Sequence, residues 1–271
     1  MENPRKYGKK PFGVAVIHGG PGAGGEMAPI ARELASERGT LEPIQTASSI
    51  EGQIEELKNI LKKASNLPVI LIGFSWGAWL SFLFTAKHPS FIKKLILVGS
   101  GPFEEKYTNE LREARIRRLD KKEIEEYNLL INILNDSKAE NKDAALNRLG
   151  ELTMKTDQYN PLKDESTELP SIDYRADIFH SVWKEAAEMR RSGKLLELVK
   201  YVRCPVIAIH GDYDPHPAKG VEEPLSGIIR NFRFYLLKNC GHKPWIERQA
   251  KANFYEILKK ELEVNYFSLK E

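Results

Sequence analysis

Residues 69–78 read VILIGFSWGA, and this stretch decides the fold. The run 69–72 is apolar throughout, which is typical of a parallel strand that is covered on both faces. Residues 73–77 then form a G-x-S-x-G sequence, and a helical apolar pattern follows them. So tight a strand-to-helix turn strains the backbone of its central residue and needs small neighbours. The stretch therefore predicts that Ser75 projects its hydroxyl above a parallel sheet, whereas an ordinary glycine-rich turn would not require a serine there.

Short apolar runs and helical patterns alternate on both sides of this stretch. Ser48 and Glu51 predict a capping box at the start of one helix, and Gly39 predicts the end of another. This alternation predicts an α/β protein in which helices wrap a mostly parallel sheet. The predicted strands cover residues 13–17, 69–72, 95–98, 206–209 and 232–237, with a weaker one at 41–46. The predicted helices have apolar faces within residues 27–34, 50–64, 124–134, 179–186 and 250–258.

The alternation stops after Ser100. From about residue 104 to residue 200 there is no strand-like run, and this segment contains 18 basic and 21 acidic residues. A helical, highly charged segment between two strands is typical of an inserted lid. We therefore expect residues 1–103 and 201–271 to form one α/β core, and residues 104–200 to form a helical cap.

The composition excludes several classes of protein. With 271 residues, of which 41% are hydrophobic and 29% charged, the chain can bury a sizeable core. The 41 basic and 38 acidic residues nearly balance, so the charge does not indicate a nucleic-acid partner. The longest apolar stretch, residues 67–74, is too short for a membrane helix, and the N-terminus lacks the apolar region of a signal peptide. We expect a cytoplasmic protein without a membrane partner, in which Cys204 and Cys240 are reduced.

Two loops that follow strands carry groups for an acid–base or oxyanion site. Residues 18–22 read HGGPG, and such a loop can aim backbone N–H groups at a developing oxyanion, with Gly20 and Trp76 as the expected donors. We expect His18 to tie this loop down. Residues 240–245 read CGHKPW and place His242 at the carboxyl edge of the sheet, where ligands of such sheets bind.

A third loop allows two interpretations. Residues 210–216 read HGDYDPH, and carboxylates and imidazoles at alternate positions suit several divalent metals. The strand should end near Gly211, however, so the four side chains would not share one face. The alternative is that one carboxylate orients a catalytic imidazole while the other residues cap the loop. We expect His216 to be a loop residue or to lie on the rim of a pocket.

Together, these motifs resemble the α/β-hydrolase superfamily over nearly the whole chain: oxyanion loop, nucleophile elbow, helical cap, acid loop and histidine loop. In that family the acid usually lies three residues after a glycine that ends its strand. The match here runs from Gly211 to Asp214, which favours Asp214 over Asp212. The resemblance implies a triad of Ser75, Asp214 and His242, an acyl-serine intermediate, and no metal or organic cofactor.

Within the superfamily, HGGPG resembles the proline iminopeptidase group, whose members remove N-terminal residues from short peptides. The elbow of that group usually reads GGSWG, and Phe74 replaces the second glycine here. The cap of that group supplies acidic residues for the substrate ammonium, and Glu104, Glu185 and Glu188 are candidates for this role. Only about a dozen residues precede the first predicted strand, so we expect the antiparallel leading strands of larger members to be absent.

The sequence therefore predicts a serine hydrolase that cleaves a small ester or amide. Three alternatives stay open: an aminopeptidase of the proline iminopeptidase type, a carbon–carbon bond hydrolase, and a module of the same fold that binds a ligand without catalysis. The partner predicted in each case is a small molecule. The sequence carries no signal for an oligomeric state.

Overall fold

The structure, a computed structural model, describes residues 2–21, 24–136, 138–162 and 175–263. Within these ranges seven strands form one sheet in the order β1-β3-β2-β4-β5-β6-β7. Neighbouring strands run parallel except for β1, which is antiparallel to β3. This sheet confirms the predicted α/β fold class. The strands are β1 (Arg5–Tyr7), β2 (Phe12–Ile17), β3 (Gly39–Glu42), β4 (Val69–Phe74), β5 (Ile92–Val98), β6 (Val206–Gly211) and β7 (Phe232–Leu237).

Helices connect the strands and cover the sheet on both faces. None of the helices in the described ranges is both long and apolar enough to cross a membrane. Those outside the segment between β5 and β6 are α1 (Ala28–Ala35), α2 (Ile50–Ala64), α3 (Trp76–Lys87), α9 (Lys219–Ser226) and α10 (Lys251–Glu263). Those between β5 and β6 are α4 (Thr108–Ile116), α5 (Lys121–Asn135), α6 (Lys142–Asp157), α7 (Ala176–Arg191) and α8 (Lys194–Glu197).

Consecutive residues of the central strands pack on opposite faces of the sheet. In β4, Leu71 packs in the apolar cluster formed with α2 and α3, whereas Ile72 packs in the cluster formed with α1 and α10. Both side chains are fully buried. Because both faces are covered, the run 69–72 is apolar throughout instead of alternating.

The segment between β5 and β6 is helical where the structure describes it, and its helices pack in two different ways. Side chains of α5 and α6, such as Tyr127 and Leu152, form an apolar cluster of their own. Side chains of α7, such as Val182, pack instead into the main core beside α2 and α3. Residues 163–174 of the expected cap lie outside the described residues. The division into a core and a cap of residues 104–200 stays a prediction.

Three local expectations need correction. A short antiparallel leading strand is present: β1 pairs with β3, but its sequence RKY is polar and carries no strand-like pattern. The weak strand expected at 41–46 lies at Gly39–Glu42, so Gly39 begins a strand, and α1 already ends at Ala35. The N-cap of α2 is Ser49 rather than Ser48, because the Ser49 hydroxyl accepts the N–H of Gly52 at 3.1 Å.

Candidate active site

All four polar loops singled out from the sequence follow strands of the parallel sheet. They come directly after β2, β4, β6 and β7, which end at Ile17, Phe74, Gly211 and Leu237. Because parallel strands end at the same edge, these loops meet at the carboxyl edge of the sheet. The parallel order of the strands therefore brings the four loops together at one site.

Ser75 occupies a strained turn between β4 and α3. Its φ of 52° and ψ of −117° lie in a region that residues with a side chain rarely adopt, at a cost of about 1–3 kcal/mol. The turn is tight because the chains around it touch. A Cβ atom at Gly77 would lie 2.3 Å from the carbonyl oxygen of Ile17, and one at Gly73 would lie 2.2 Å from the carbonyl oxygen of Gly77. Both glycines are therefore required by close backbone approach.

The structure places Asp214, rather than Asp212, against His242. Asp214 follows the end of β6 by three residues, its side chain is fully buried, and its Oδ2 lies 2.7 Å from Nδ1 of His242. Asp212 is exposed, and its carboxylate lies near the backbone N–H of Cys240 and the ammonium of Lys238. Because a carboxylate accepts the hydrogen bond, Nδ1 of His242 carries the proton and Nε2 keeps its lone pair.

Several groups keep the Asp214 carboxyl ionised. Burial alone would raise its pKa, but the imidazoles of His242, His216 and His210 outweigh burial and hold that pKa well below its usual range. His216 donates both its backbone N–H and its Nδ1–H to Oδ1 of Asp214, at 2.9 and 2.8 Å. The Asp214 carboxylate is therefore an anionic hydrogen-bond acceptor at neutral pH.

Close packing orients the His242 ring. The centroid of the ring lies 4.7 Å from that of Phe74 and 4.5 Å from that of His216. Gly99 has a positive φ of 51°, and a Cβ atom there would lie 3.1 Å from Nδ1 of His242. The structure records no hydrogen bond between this ring and the hydroxyl of Ser75, although both residues line one cavity. In unliganded enzymes this hydrogen bond is often long and shortens when substrate binds.

The two residues whose N–H groups the sequence predicts as oxyanion donors, Gly20 and Trp76, both line the cavity that contains Ser75. Trp76 is the first residue of α3, so its N–H has no acceptor within the helix, and the positive end of the helix dipole lies at the same place. Gly20 has a positive φ of 47°, a conformation that glycine adopts without strain. Gly20, Ser75 and Trp76 all line the same cavity.

His18 holds the loop after β2 through hydrogen bonds of its ring. Its ring is fully buried, with Nδ1 2.8 Å from the carbonyl oxygen of Gly19 and Nε2 accepting the backbone N–H of Gln45 at 3.1 Å. The Gln45 side chain in turn donates to the carbonyl oxygen of His18 and accepts from the indole of Trp76. Burial lowers the pKa of His18, so the ring stays neutral.

The cavity beside Ser75 has a volume of about 210 Å³ and mostly apolar walls. One face of α6 supplies a large part of the lining, and the aromatic rings of Phe179, Trp183 and Trp79 stack in succession next to it. Rings and aliphatic chains of this kind favour an apolar group of a ligand. The apolar lining residues are Pro21, Phe74, Trp76, Leu111, Leu146, Leu149, Met154, Phe179 and Trp183.

Four charged residues that sequence reasoning missed also line the cavity, and they form two ion pairs. Nζ of Lys243 lies 3.1 Å from Oε2 of Glu26, and Arg115 binds both carboxylate oxygens of Asp157 at 2.9 and 2.5 Å. Burial would raise the pKa of Asp157, but the Arg115 guanidinium outweighs burial and lowers it. Because Lys243 directly follows His242, the sequence could have predicted it near the site. No sequence motif marks Glu26, Arg115 or Asp157.

The acidic residues considered for an ammonium group have other partners. Glu104 pairs with Lys106, Glu188 pairs with Arg191, and Glu185 accepts the backbone N–H of Ile50 at the start of α2. None of these three glutamates lines the described cavity.

The metal interpretation of residues 210–216 meets a chemical obstacle. Of the four residues considered, Asp214 and His216 form a group with His242, and their ligating atoms lie within 4.8 Å of one another. Both Nδ1 atoms, however, already donate a proton to the Asp214 carboxylate. A cation bound through these Nδ1 atoms would have to displace both protons, and the hydrogen bonds present are those of an acid–base system.

Solved structures share the fold over nearly the whole chain. A monoacylglycerol lipase from Paleococcus ferrophilus aligns with a TM-score of 0.63 at 13% identity, covering 97% of this chain and 98% of that one. MenH from S. aureus aligns with a TM-score of 0.64 at 16% identity over 97% and 100% of the two chains. The 2-hydroxy-6-oxo-6-phenylhexa-2,4-dienoate hydrolase from Rhodococcus sp. strain RHA1 aligns with a TM-score of 0.61 at 17% identity over 95% and 92%. At these identities the likeness shows the fold alone.

The amino-acid sequence itself also matches a family model. No curated protein sequence matches the chain significantly. The model for the alpha/beta hydrolase fold matches residues 20–249, a span that begins in the loop after β2 and ends beyond His242. The chain is therefore a hydrolase that belongs to the alpha/beta hydrolase fold family.

Proposed function

We propose that this protein is a serine hydrolase that cleaves a small ester or amide through an acyl-serine intermediate. Ser75 is the nucleophile, His242 the general base and acid, and Asp214 the residue that orients His242. The observation that carries the proposal is the buried hydrogen bond of 2.7 Å from Nδ1 of His242 to Asp214. This bond leaves Nε2 as the basic nitrogen in the cavity that Ser75 lines.

The proposed chemistry has two halves. Nε2 of His242 takes the hydroxyl proton as Oγ of Ser75 attacks the substrate carbonyl, and the N–H groups of Gly20 and Trp76 bind the resulting oxyanion. His242 then returns the proton to the leaving group, the carbon–leaving group bond breaks, and an acyl-serine remains. In the second half, His242 takes a proton from water, which attacks the acyl carbon, and returns it to Oγ of Ser75. The anionic Asp214 stabilises the imidazolium in both halves.

The cavity supports a substrate with a short apolar group. Its walls are mainly aromatic and aliphatic, and its volume of about 210 Å³ suits a small substrate. Its charged groups Glu26, Lys243, Arg115 and Asp157 are paired with one another. We therefore propose a neutral acyl group rather than a charged one.

The motif HGGPG favours a second candidate, an aminopeptidase of the proline iminopeptidase type. Such an enzyme needs a carboxylate for the ammonium of its substrate. Among the described residues of the cavity, Glu26 and Asp157 each face a cation, so neither offers an unpaired negative charge. This arrangement supports an ester or amide with a neutral acyl group over an N-terminal amino acid.

A panel of chromogenic substrates tests the proposal. We expect hydrolysis of p-nitrophenyl esters with short acyl chains, a fall in kcat/KM as the chain outgrows the cavity, and little hydrolysis of aminoacyl arylamides. Replacing Ser75→Ala should lower kcat by about 10⁴-fold or more. Faster turnover of prolyl arylamide than of every ester would favour the aminopeptidase, and unchanged ester turnover in the alanine variant would refute the serine mechanism.

A further inference from the structure

The Asp214 carboxylate accepts ring hydrogen bonds from two imidazoles, one on each oxygen. Oδ2 accepts Nδ1–H of His242 at 2.7 Å, and Oδ1 accepts Nδ1–H of His216 at 2.8 Å. The triad requires only the first of these hydrogen bonds. The second hydrogen bond comes from the buried imidazole of His216, which has no role in the proposed chemistry.

His216 also contacts the base itself. Its ring stacks on that of His242 with centroids 4.5 Å apart and planes inclined by 22°. The centroid of the Phe74 ring also lies 4.7 Å from that of His242, with the two planes tilted by 48°. Two rings therefore contact the base, and His216 lines the cavity beside it.

The backbone of the same residue belongs to the network. The carbonyl oxygen of His216 accepts Nε2–H of His210, a buried residue near the end of β6, at 2.8 Å. The backbone N–H of His216 donates to Asp214 at 2.9 Å. Ring, N–H and carbonyl together fix His216 relative to the strand that carries the acid.

We propose that His216 is a positioning residue for the proposed hydrolase: it holds the second oxygen of Asp214 and supports one face of the His242 ring. This inference rests on the proposed function. Through the shared carboxylate, His216 competes with His242 for the negative charge of Asp214. It therefore limits how strongly Asp214 stabilises the imidazolium form of His242.

His216 plays this part as a neutral ring. Burial lowers its pKa to about 4, against the opposing influence of Asp214, so it donates through Nδ1 without carrying a charge at neutral pH. The charged and titratable groups that face it come from several elements. They are Asp214 and His242 on their loops, His210 on β6, Arg115 on α4 and Asp157 on α6.

Two substitutions separate the two contacts of His216. His216→Asn keeps an N–H donor near the place of Nδ1 but removes the stacked ring, whereas His216→Phe keeps a ring and removes the donor. In the phenylalanine variant Asp214 has one donor fewer and holds the His242 proton more strongly. We expect the acid limb of its kcat/KM profile to move by about half a pH unit or more to higher pH.

The asparagine variant should keep the acid limb of the wild type while kcat falls through the loss of ring support, with KM changing less than kcat. Melting temperatures of both variants report whether each is folded. Unchanged kcat and pH profile in both variants, or an equal loss in both with an unmoved acid limb, would overturn the inference. Labelling of wild-type Ser75 by a fluorophosphonate tests the proposed function separately, because it does not depend on His216.

Discussion

The backbone N–H of His242 lies 2.7 Å from the carbonyl oxygen of Asp157, the last residue of α6. The loop that carries the proposed base is thus held by the segment inserted between β5 and β6, as well as by the sheet. Glu247 strengthens the same junction. Its fully buried carboxylate accepts the N–H groups of Gly241 at 2.9 Å and of Tyr159 and Asn160 at 2.7 Å.

Replacing Glu247→Gln should loosen this junction. In the glutamine variant an amide nitrogen replaces one carboxylate oxygen and cannot accept a hydrogen bond. At least one buried N–H group then lacks an acceptor, which costs about 1–3 kcal/mol of folding free energy. We expect a lower free energy of unfolding in urea and a slower labelling of Ser75 by a fluorophosphonate. Glu256→Gln, on the exposed side of α10, is the matched control. Equal stability and equal labelling rates in the two variants would contradict this role.

Replacing Asp214→Asn should stop turnover while leaving the fold intact. The asparagine amide would donate towards Nδ1 of His242 and favour the tautomer whose Nε2 already carries a proton. Comparable acids in serine hydrolases suggest a fall in kcat of about 10⁴-fold. The neighbouring Asp212→Asn is the control and should leave kcat nearly unchanged. A larger loss in the Asp212 variant would reassign the acid.

The buried pair of Lys243 and Glu26 provides a test of stability. Each side chain is 7% exposed, so removing one partner leaves the other as an uncompensated buried charge. Lys243→Met should lower the free energy of unfolding by about 3–5 kcal/mol, and adding Glu26→Gln should restore part of that loss. Lys259→Met, which removes a more exposed partner of Glu33, is the control and should change stability little. If the two substitutions lowered the free energy of unfolding additively in the double variant, the result would contradict an interaction between Lys243 and Glu26.

Stability should fall as the pH is lowered from about 6.5 towards 4. Burial lowers the pKa of His18, His210 and His216, the last to about 4. In the unfolded chain each ring takes up a proton near pH 6.5, so within this window the unfolded state binds more protons than the folded one. Urea unfolding at about pH 7 and about pH 5 measures the effect. The exposed His180→Gln variant should show the same dependence, and equal midpoints at both pH values would contradict the prediction.

The sequence was sufficient to predict those structural elements that depend on a local pattern of residues. The run 69–72 predicted β4 because burial on both faces requires apolar side chains at every position. Close approach around Ser75 requires glycine at positions 73 and 77, so the turn is visible as a motif. The spacing from Gly211 to Asp214, taken with the family resemblance, selected the carboxylate that lies against His242.

Other features depend on contacts that no local pattern encodes. The strand β1 is three polar residues whose pairing with β3 is a matter of tertiary structure. Arg115 and Asp157 are 42 positions apart, and only the packing of α4 on α6 brings them together in the cavity. The sequence left two places open for His216, in the loop or on the rim of a pocket, because its ring contacts with Asp214 and His242 arise only where the loops meet.

The central claim is that Ser75 is the nucleophile, and covalent trapping tests it most directly. The wild-type protein and the Ser75→Ala variant are incubated with a fluorophosphonate, and intact mass and peptide mapping locate the adduct. We predict one adduct per chain, carried by the peptide that contains residues 73–77, and none on the alanine variant. Labelling of the alanine variant to the same extent, or an adduct on another residue of the wild type, would contradict the account.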